Sequence, residues 1–263
     1  MKIVSRKCIF CGAALTNSNR AKEHVLKDAW LRKLGHEKYQ LNLAQFRGED
    51  KIGERQHAAN QLLSGEVCNG CNGGWMERLD HSVEKIVLTL AQEIRPIQIT
   101  EQECWQLARW LVKTAYAHIS CDSPDRRHIT PTQVAKVKKP SFRPDGAFCM
   151  YYTVLEPQAT GVVPASIDVW PSAGNDPTIL TIPQTRRRKF AVQYNRIVFG
   201  FAWVRGPVKK FRLVSGIHNP LIHTGVALEM IPDDGTLIRG EYLPKEMSKD
   251  IVNCLAGYIA MIF

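Results

Sequence analysis

Residues 8–12 read Cys8-Ile9-Phe10-Cys11-Gly12 and residues 68–72 read Cys68-Asn69-Gly70-Cys71-Asn72; between these two C-x-x-C pairs stands the dipeptide Glu23-His24. A two-residue spacer folds into a tight knuckle that points both sulfurs the same way. Two such knuckles close a tetrahedral zinc site with Zn–S bonds of about 2.3 Å. Gly12 and Gly70 stand where these turns want backbone freedom. The spacing therefore predicts a structural Zn²⁺ held by Cys8, Cys11, Cys68 and Cys71.

The other four of the eight cysteines, Cys104, Cys121, Cys149 and Cys254, lie in apolar surroundings without paired spacing and read as buried thiols. A disulfide framework is the competing use for the first four, but it belongs to short secreted chains behind a signal peptide. The start, MKIVSRKCIFCG, has no apolar stretch of that kind before the first knuckle. The most apolar tail, residues 251–263, falls short of the roughly 20 residues that cross a bilayer. The expectation is a reducing, cytoplasmic setting with no membrane partner.

At 263 residues the chain suits one large domain or two modest ones, and no repeat or low-complexity tract interrupts it. Its net charge is +10, and the placement is more informative than the size. Residues 177–228 hold no Asp or Glu, yet they contain Arg186, Arg187, Arg188, Lys189, Arg196, Arg205, Lys209, Lys210 and Arg212. So many like charges without acidic neighbours repel one another unless a partner neutralises them, which predicts contact with a polyanion. Arg186, Arg187, Arg188, Lys189, Lys209 and Lys210 are the candidate nucleic-acid contacts. The interleaved Phe190, Tyr194, Phe199, Phe201, Trp203 and Phe211 fit the inward face of strands, hence core.

Residues 1–75 read as irregular, knuckle-bearing structure, with residues 36–57 as a surface loop whose Arg47, Lys51 and Arg55 can reach phosphates. A helical period follows in Met76, Leu79, Val83, Ile86, Val87, Leu90 and Ile94, and Pro96 ends it. Thr100 and Glu103 form a capping box for a second helix with the stripe Cys104, Leu107, Ala108, Leu111, Val112, Ala115 and Ile119. Past a Pro- and Lys-rich connector, strand-type runs are expected at residues 148–155, 166–170, 178–182, 190–204, 211–214, 226–231 and 237–242, with a closing helix at 252–262. The fold class is α+β in three parts: a zinc-bound head at 1–95, a helical bridge at 96–125 and a basic, antiparallel β-rich part at 126–263.

The string Cys8-Ile9-Phe10-Cys11-Gly12, then Glu23-His24-Val25-Leu26 with Trp30-Leu31, then Cys68-Asn69-Gly70-Cys71-Asn72 with Gly74-Trp75-Met76, resembles the zinc-knuckle HNH endonucleases of bacteria and phages. The likeness spans residues 8 to about 95. It implies a ββα-metal finger in which the cysteine zinc is structural and one catalytic divalent cation, Mg²⁺ or Mn²⁺, is held near the histidine. Carried over by position, His24 becomes the general base, Glu23 and Asn72 the cation's ligands, and Asn60 the asparagine that pins the hairpin loop. Asn60 sits eight residues ahead of Cys68, further than the pattern wants, and Glu23 stands where many relatives have Asp.

The chemistry is consistent with those roles. A neutral imidazole with a pKa near 6.5 takes a proton from water at neutral pH. Magnesium asks for one or two hard oxygen donors beside substrate phosphate. The function expected is phosphodiester hydrolysis in nucleic acid, double-stranded DNA first, and cutting both strands would favour a homodimer. The alternative is a zinc-dependent nucleic-acid-binding protein without cleavage. In the bland readings Glu23-His24 rides the exposed side of a helix over residues 20–34 stopped by Gly35, Asn72 is a helix cap, Asp80 and His81 are surface residues, and Trp75 is a core plug.

Overall fold

The computed structural model describes residues 6–47, 50–93, 99–121, 131–154, 162–167, 187–204 and 227–231. The expected strands at 178–182, 211–214 and 237–242 and the closing helix lie outside the described residues.

The head contains more regular structure than its sequence suggests. Strand β1 (Arg20–His24) pairs antiparallel with β4 (Leu63–Cys68), Arg20 opposite Cys68 and His24 opposite Leu63, with a register shift between Ala21 and Glu23. Helix α1 (Asp28–Leu34) follows, and Gly35 closes it in the left-handed conformation at φ 70, donating to the Arg32 and Leu31 carbonyls. The expected stop at Gly35 is therefore correct, while the helix over residues 20–34 breaks into a strand and a shorter helix. Burial alternates along β1, with Ala21 and Glu23 inside and Arg20 and Lys22 outside, which is the period of a half-buried strand.

Residues 36–57, read as a loop, instead form most of a β-hairpin. Strand β2 (Gln40–Arg47) runs antiparallel to β3 (Asp50–Ala58), Gln40 opposite Ala58 and Arg47 opposite Asp50. The alternation Leu41, Leu43 against Gln40, Asn42 is the signal that the charge count obscured. A short 3₁₀ turn, Ala59–Gln61, leads into β4.

Past Cys68 the chain enters a brief helix α2 (Asn69–Cys71), a kinked π segment Asn72–Met76 with Gly74 at φ −104, ψ −108, and then α3 (Glu77–Glu93). Helix α4 (Glu101–Ile119) starts at the expected capping box, with both reciprocal hydrogen bonds made by Thr100 and Glu103. The connector contains a further helix, α5 (Pro131–Val137), with proline at its first position, where a missing N–H is harmless.

The C-terminal part is a five-stranded antiparallel sheet of β5 (Ala147–Val154), β6 (Val162–Ile167), β7 (Arg187–Tyr194), β8 (Ile197–Val204) and β9 (Ala227–Ile231), in the order β6-β7-β8-β5-β9. The run at 190–204 divides into two strands at Asn195, whose φ of 56 fits the tight two-residue hairpin turn between Tyr194 and Ile197. Asn195 Nδ2 also donates to the Ala91 carbonyl at 2.7 Å, tying this turn to α3.

Helix α4 is the middle layer. It packs against α3 on one side and against β6, β7 and β8 on the other, which is why its burial extends all round rather than along one stripe. Trp110 sits at the centre, its ring 5.5 Å from Trp30, 6.1 Å from Tyr194 and 6.1 Å from Phe199. Phe190, Tyr194, Phe199, Phe201 and Trp203 are all buried, as their alternation predicts. Among the described residues no helix is long and apolar enough to cross a membrane.

Candidate metal centre and the His24 site

The first knuckle turns at Gly12, whose φ of 75 lets its N–H return to the Cys8 carbonyl at 2.8 Å. The second turns within α2, so Gly70 needs no unusual backbone, and a Cβ there would meet nothing within 4 Å. Pairing of Arg20 with Cys68, and the Asn69 N–H to Asn19 carbonyl bond at 2.7 Å, fix the second knuckle against the start of β1. The four Sγ atoms of Cys8, Cys11, Cys68 and Cys71 lie within 4.8 Å of one another, and Cys11 and Cys68 are 3.6 Å apart. A tetrahedron with 2.3 Å bonds has edges of about 3.8 Å, so the cluster has the size of a zinc site.

The thiols also behave as a set short of positive charge. A hydrogen bond from Cys71 holds the Cys8 sulfur down at about 4, aided by the Cys68 backbone N–H at 3.4 Å. The same contact pushes Cys71 far up, and burial raises Cys11. One thiolate is stabilised at its neighbours' expense; a divalent ion would relieve all of them together.

His24 closes β1. It is half-buried, and its Nδ1 is enclosed without a hydrogen-bond partner among the described residues, so the backbone acceptor that a fixed tautomer wants is not supplied. Asp28 lies within the electrostatic reach of His24. Asp28 of α1 is held below the usual carboxylate range first by the Arg32 guanidinium, then by His24 and by a hydrogen bond from the Asn60 side chain. Asn60 reaches this place from the 3₁₀ turn. Asp28, which the sequence reading did not single out, is thus the group that both His24 and Asn60 act on.

Glu23 points the other way. It is 4% exposed, and its Oε1 lies 3.3 Å from Lys113 Nζ of α4. Lys113, 2% exposed, also reaches Asp80 Oδ1 of α3 at 2.8 Å, and Asp80 Oδ2 lies 3.3 Å from Lys27 Nζ. Burial pulls the Lys113 ammonium down, but Asp80 and Glu23 more than offset this and hold it above the ordinary lysine value. Asp80 is therefore a buried member of a four-residue ionic network and not a surface residue. His81 is exposed as expected and pairs with Glu84.

Asn72 has right-handed helical φ and ψ and ends α2, its N–H returning to the Asn69 carbonyl, so it is not the N-cap of the helix that follows. It follows Cys71 in the second knuckle, whose Cys68 faces Arg20 at the start of β1, whereas His24 closes the other end of that strand. No hydrogen bond joins Asn72 to Glu23 or His24. Trp75 is buried against Phe10 at 5.3 Å with Arg109 over its ring at 5.2 Å, the core plug expected of it.

Arg187, Arg188 and Lys189 lie on β7 opposite Val204, Trp203 and Ala202; Arg186, Lys209 and Lys210 lie outside the described residues. Two members of the network carry a sequence signal that was missed. Asp80 sits on the stripe through Met76, Leu79 and Val83, a position that is buried by period. Lys113 stands in the run 107–117, where the only other charged residue is Arg109. No protein-family model matches the sequence, and no curated protein and no solved structure matches it either.

Proposed function

We propose that the chain is a zinc-pinned phosphodiesterase of HNH type that cleaves nucleic acid, double-stranded DNA first, with His24 as general base. The observation that carries this reading is the place of His24, half-buried and in electrostatic reach of Asp28, at the end of the first strand of a two-strand-and-helix unit that two cysteine knuckles fasten together. In it, Zn²⁺ bound by Cys8, Cys11, Cys68 and Cys71 is structural. It fixes the start of β1 against the start of the helical segment, and His24 inherits that rigidity four residues on.

The chain's own residues account for the proton. Neutral imidazole accepts it from the water attacking phosphorus, and the ionised Asp28 nearby stabilises the imidazolium that results. Asn60, bonded to Asp28, holds that carboxylate in place. The acid-free segment at 177–228 supplies phosphate contacts through Arg186, Arg187, Arg188, Lys189, Lys209 and Lys210, and such binding weakens steeply with salt. The cytoplasm, which keeps thiols reduced, suits the zinc site, and a homodimer would bring two centres to two strands.

The divalent Mg²⁺ or Mn²⁺ that the resemblance implies does not fit at Glu23 and Asn72. Glu23 already faces a buried ammonium, and Asn72 follows the knuckle whose Cys68 pairs with the opposite end of the strand. That disagreement favours a second reading, a zinc-dependent nucleic-acid-binding protein in which His24 cuts nothing.

Supercoiled plasmid separates the two. Under the first reading wild type nicks it, assayed with Mg²⁺, Mn²⁺ or EDTA, and His24→Ala loses at least about 100-fold in rate while keeping its zinc. Binding without nicking in every condition establishes the second reading instead. Equal cutting by wild type and variant removes His24 from the chemistry.

A further inference from the structure

The Glu23–Lys113–Asp80–Lys27 network lies behind the strand end that carries His24, and beyond the ammonium that Glu23 faces neither reading above uses it. Its geometry is that of a cation site whose cation is covalently attached. One compact positive centre, Lys113 Nζ, sits 2.8 Å from an Asp80 oxygen and 3.3 Å from a Glu23 oxygen. The three side chains come from α4, α3 and β1 and are each about 95% or more enclosed. Two buried carboxylates so close to one point would repel strongly if left alone. Lys113 supplies one charge and Lys27, at the half-exposed edge of the network, supplies the other, so the group is electrically balanced. Tyr194 of β7 shuts the network from the sheet side; its hydroxyl oxygen accepts from the Lys27 backbone N–H, and both carboxylates act on it electrostatically.

We infer that Lys113 is the resident cation of this site, a positioning residue that holds the Glu23 carboxylate, and through it the His24 end of β1, where a divalent metal ion would otherwise be required. Glu23 is consequently no metal ligand in the native chain, and Glu23 with Asp80 becomes one only when the ammonium is taken away. This goes beyond the proposed function and stands whether or not the chain cleaves nucleic acid, because its readout is metal binding.

Manganese binding to the zinc-loaded, full-length protein, followed by EPR, tests it. Wild type and Glu23→Gln should match within twofold in Mn²⁺ affinity, whether that affinity is measurable or nil. A tenfold or greater loss in Glu23→Gln overturns the inference. In Lys113→Gln, a new Mn²⁺ site should appear that the double variant Lys113→Gln/Glu23→Gln lacks. A folded Lys113→Gln with no added site also overturns it. Should Lys113→Gln fail to fold, the comparison of wild type with Glu23→Gln decides alone. Plasmid nicking is measured separately, so loss of the nuclease reading and loss of this one are told apart.

Discussion

His118 faces the sheet from α4, its ring 5.9 Å from Phe190 and its Nδ1 enclosed without a partner. Burial lowers its pKa from the ordinary 6.5 to about 4, so the native chain keeps this ring neutral where the unfolded chain takes up a proton. A depressed histidine adds stability in full above pH 6.5 and loses it as pH falls from there to about 4, at most about 3 kcal/mol over the interval. Urea unfolding of the zinc-loaded protein at pH 7.5 and pH 5 should therefore show a larger acid loss for wild type than for His118→Leu. Zinc release affects both proteins alike, so the difference between them isolates the ring. Equal losses would mean that His118 is already protonated in the native state or reaches water freely. The same elementary argument explains why Lys113 keeps its charge while His118 gives it up: Lys113 is buried with two carboxylates, His118 with a phenyl ring.

Among the elements, α4 is the most strongly specified. Thr100 Oγ1 accepts from the Glu103 N–H at 3.3 Å, and Glu103 Oε2 accepts from the Thr100 N–H at 2.8 Å. Thr100→Ala removes one half of that exchange and should cost about 1 kcal/mol in denaturant unfolding, with the midpoint moving and the slope unchanged. A loss much beyond about 2 kcal/mol would show that the cap supports more than its own helix. This box, the α3 period and the two knuckles were legible because each is a local pattern whose chemistry is complete within a few residues. The β2–β3 hairpin was legible too, in the alternation from Gln40 onward, although Arg47, Lys51 and Arg55 give the same stretch the charge of an exposed loop. The division of residues 190–204 turns on Asn195, and asparagine is one of the few residue types besides glycine that enter a left-handed turn. What no local pattern could give is the partner of Glu23. Lys113 lies ninety residues away in sequence, and only the packing of α3, α4 and β1 brings the two together. For the same reason the spacing of Glu23, His24 and Asn72 relative to the knuckles was readable, while the distance between His24 and Asn72 was not.

For the molecule as a whole, the apolar core does not stop at residue 95 or at residue 125. One buried cluster runs from Phe10 and Trp75 through Trp110 to Phe190 and Trp203. Trp30 of the head is buried against Trp110 of α4 and Tyr194 of β7, Ser64 of β4 meets Ser120 at the end of α4 at 2.5 Å, and Arg109 links the knuckle's Trp75 to the Val137 and Lys138 carbonyls that end α5. A fragment of residues 1–95 would uncover Trp30 and the apolar face of α3 and would leave Glu23 and Asp80 without Lys113. Stripping one partner from a buried charge group costs about 3–5 kcal/mol, and exposing a tryptophan adds a comparable amount. Zinc binding, on the order of 10–16 kcal/mol in small modules, would still draw the two knuckles together. The fragment should therefore bind one zinc ion with tetrathiolate absorption while showing no cooperative thermal transition, whereas the full chain with zinc unfolds cooperatively. A fragment that melts cooperatively near the full chain's temperature would establish the head as self-sufficient and reduce α4 and the sheet to an appended layer.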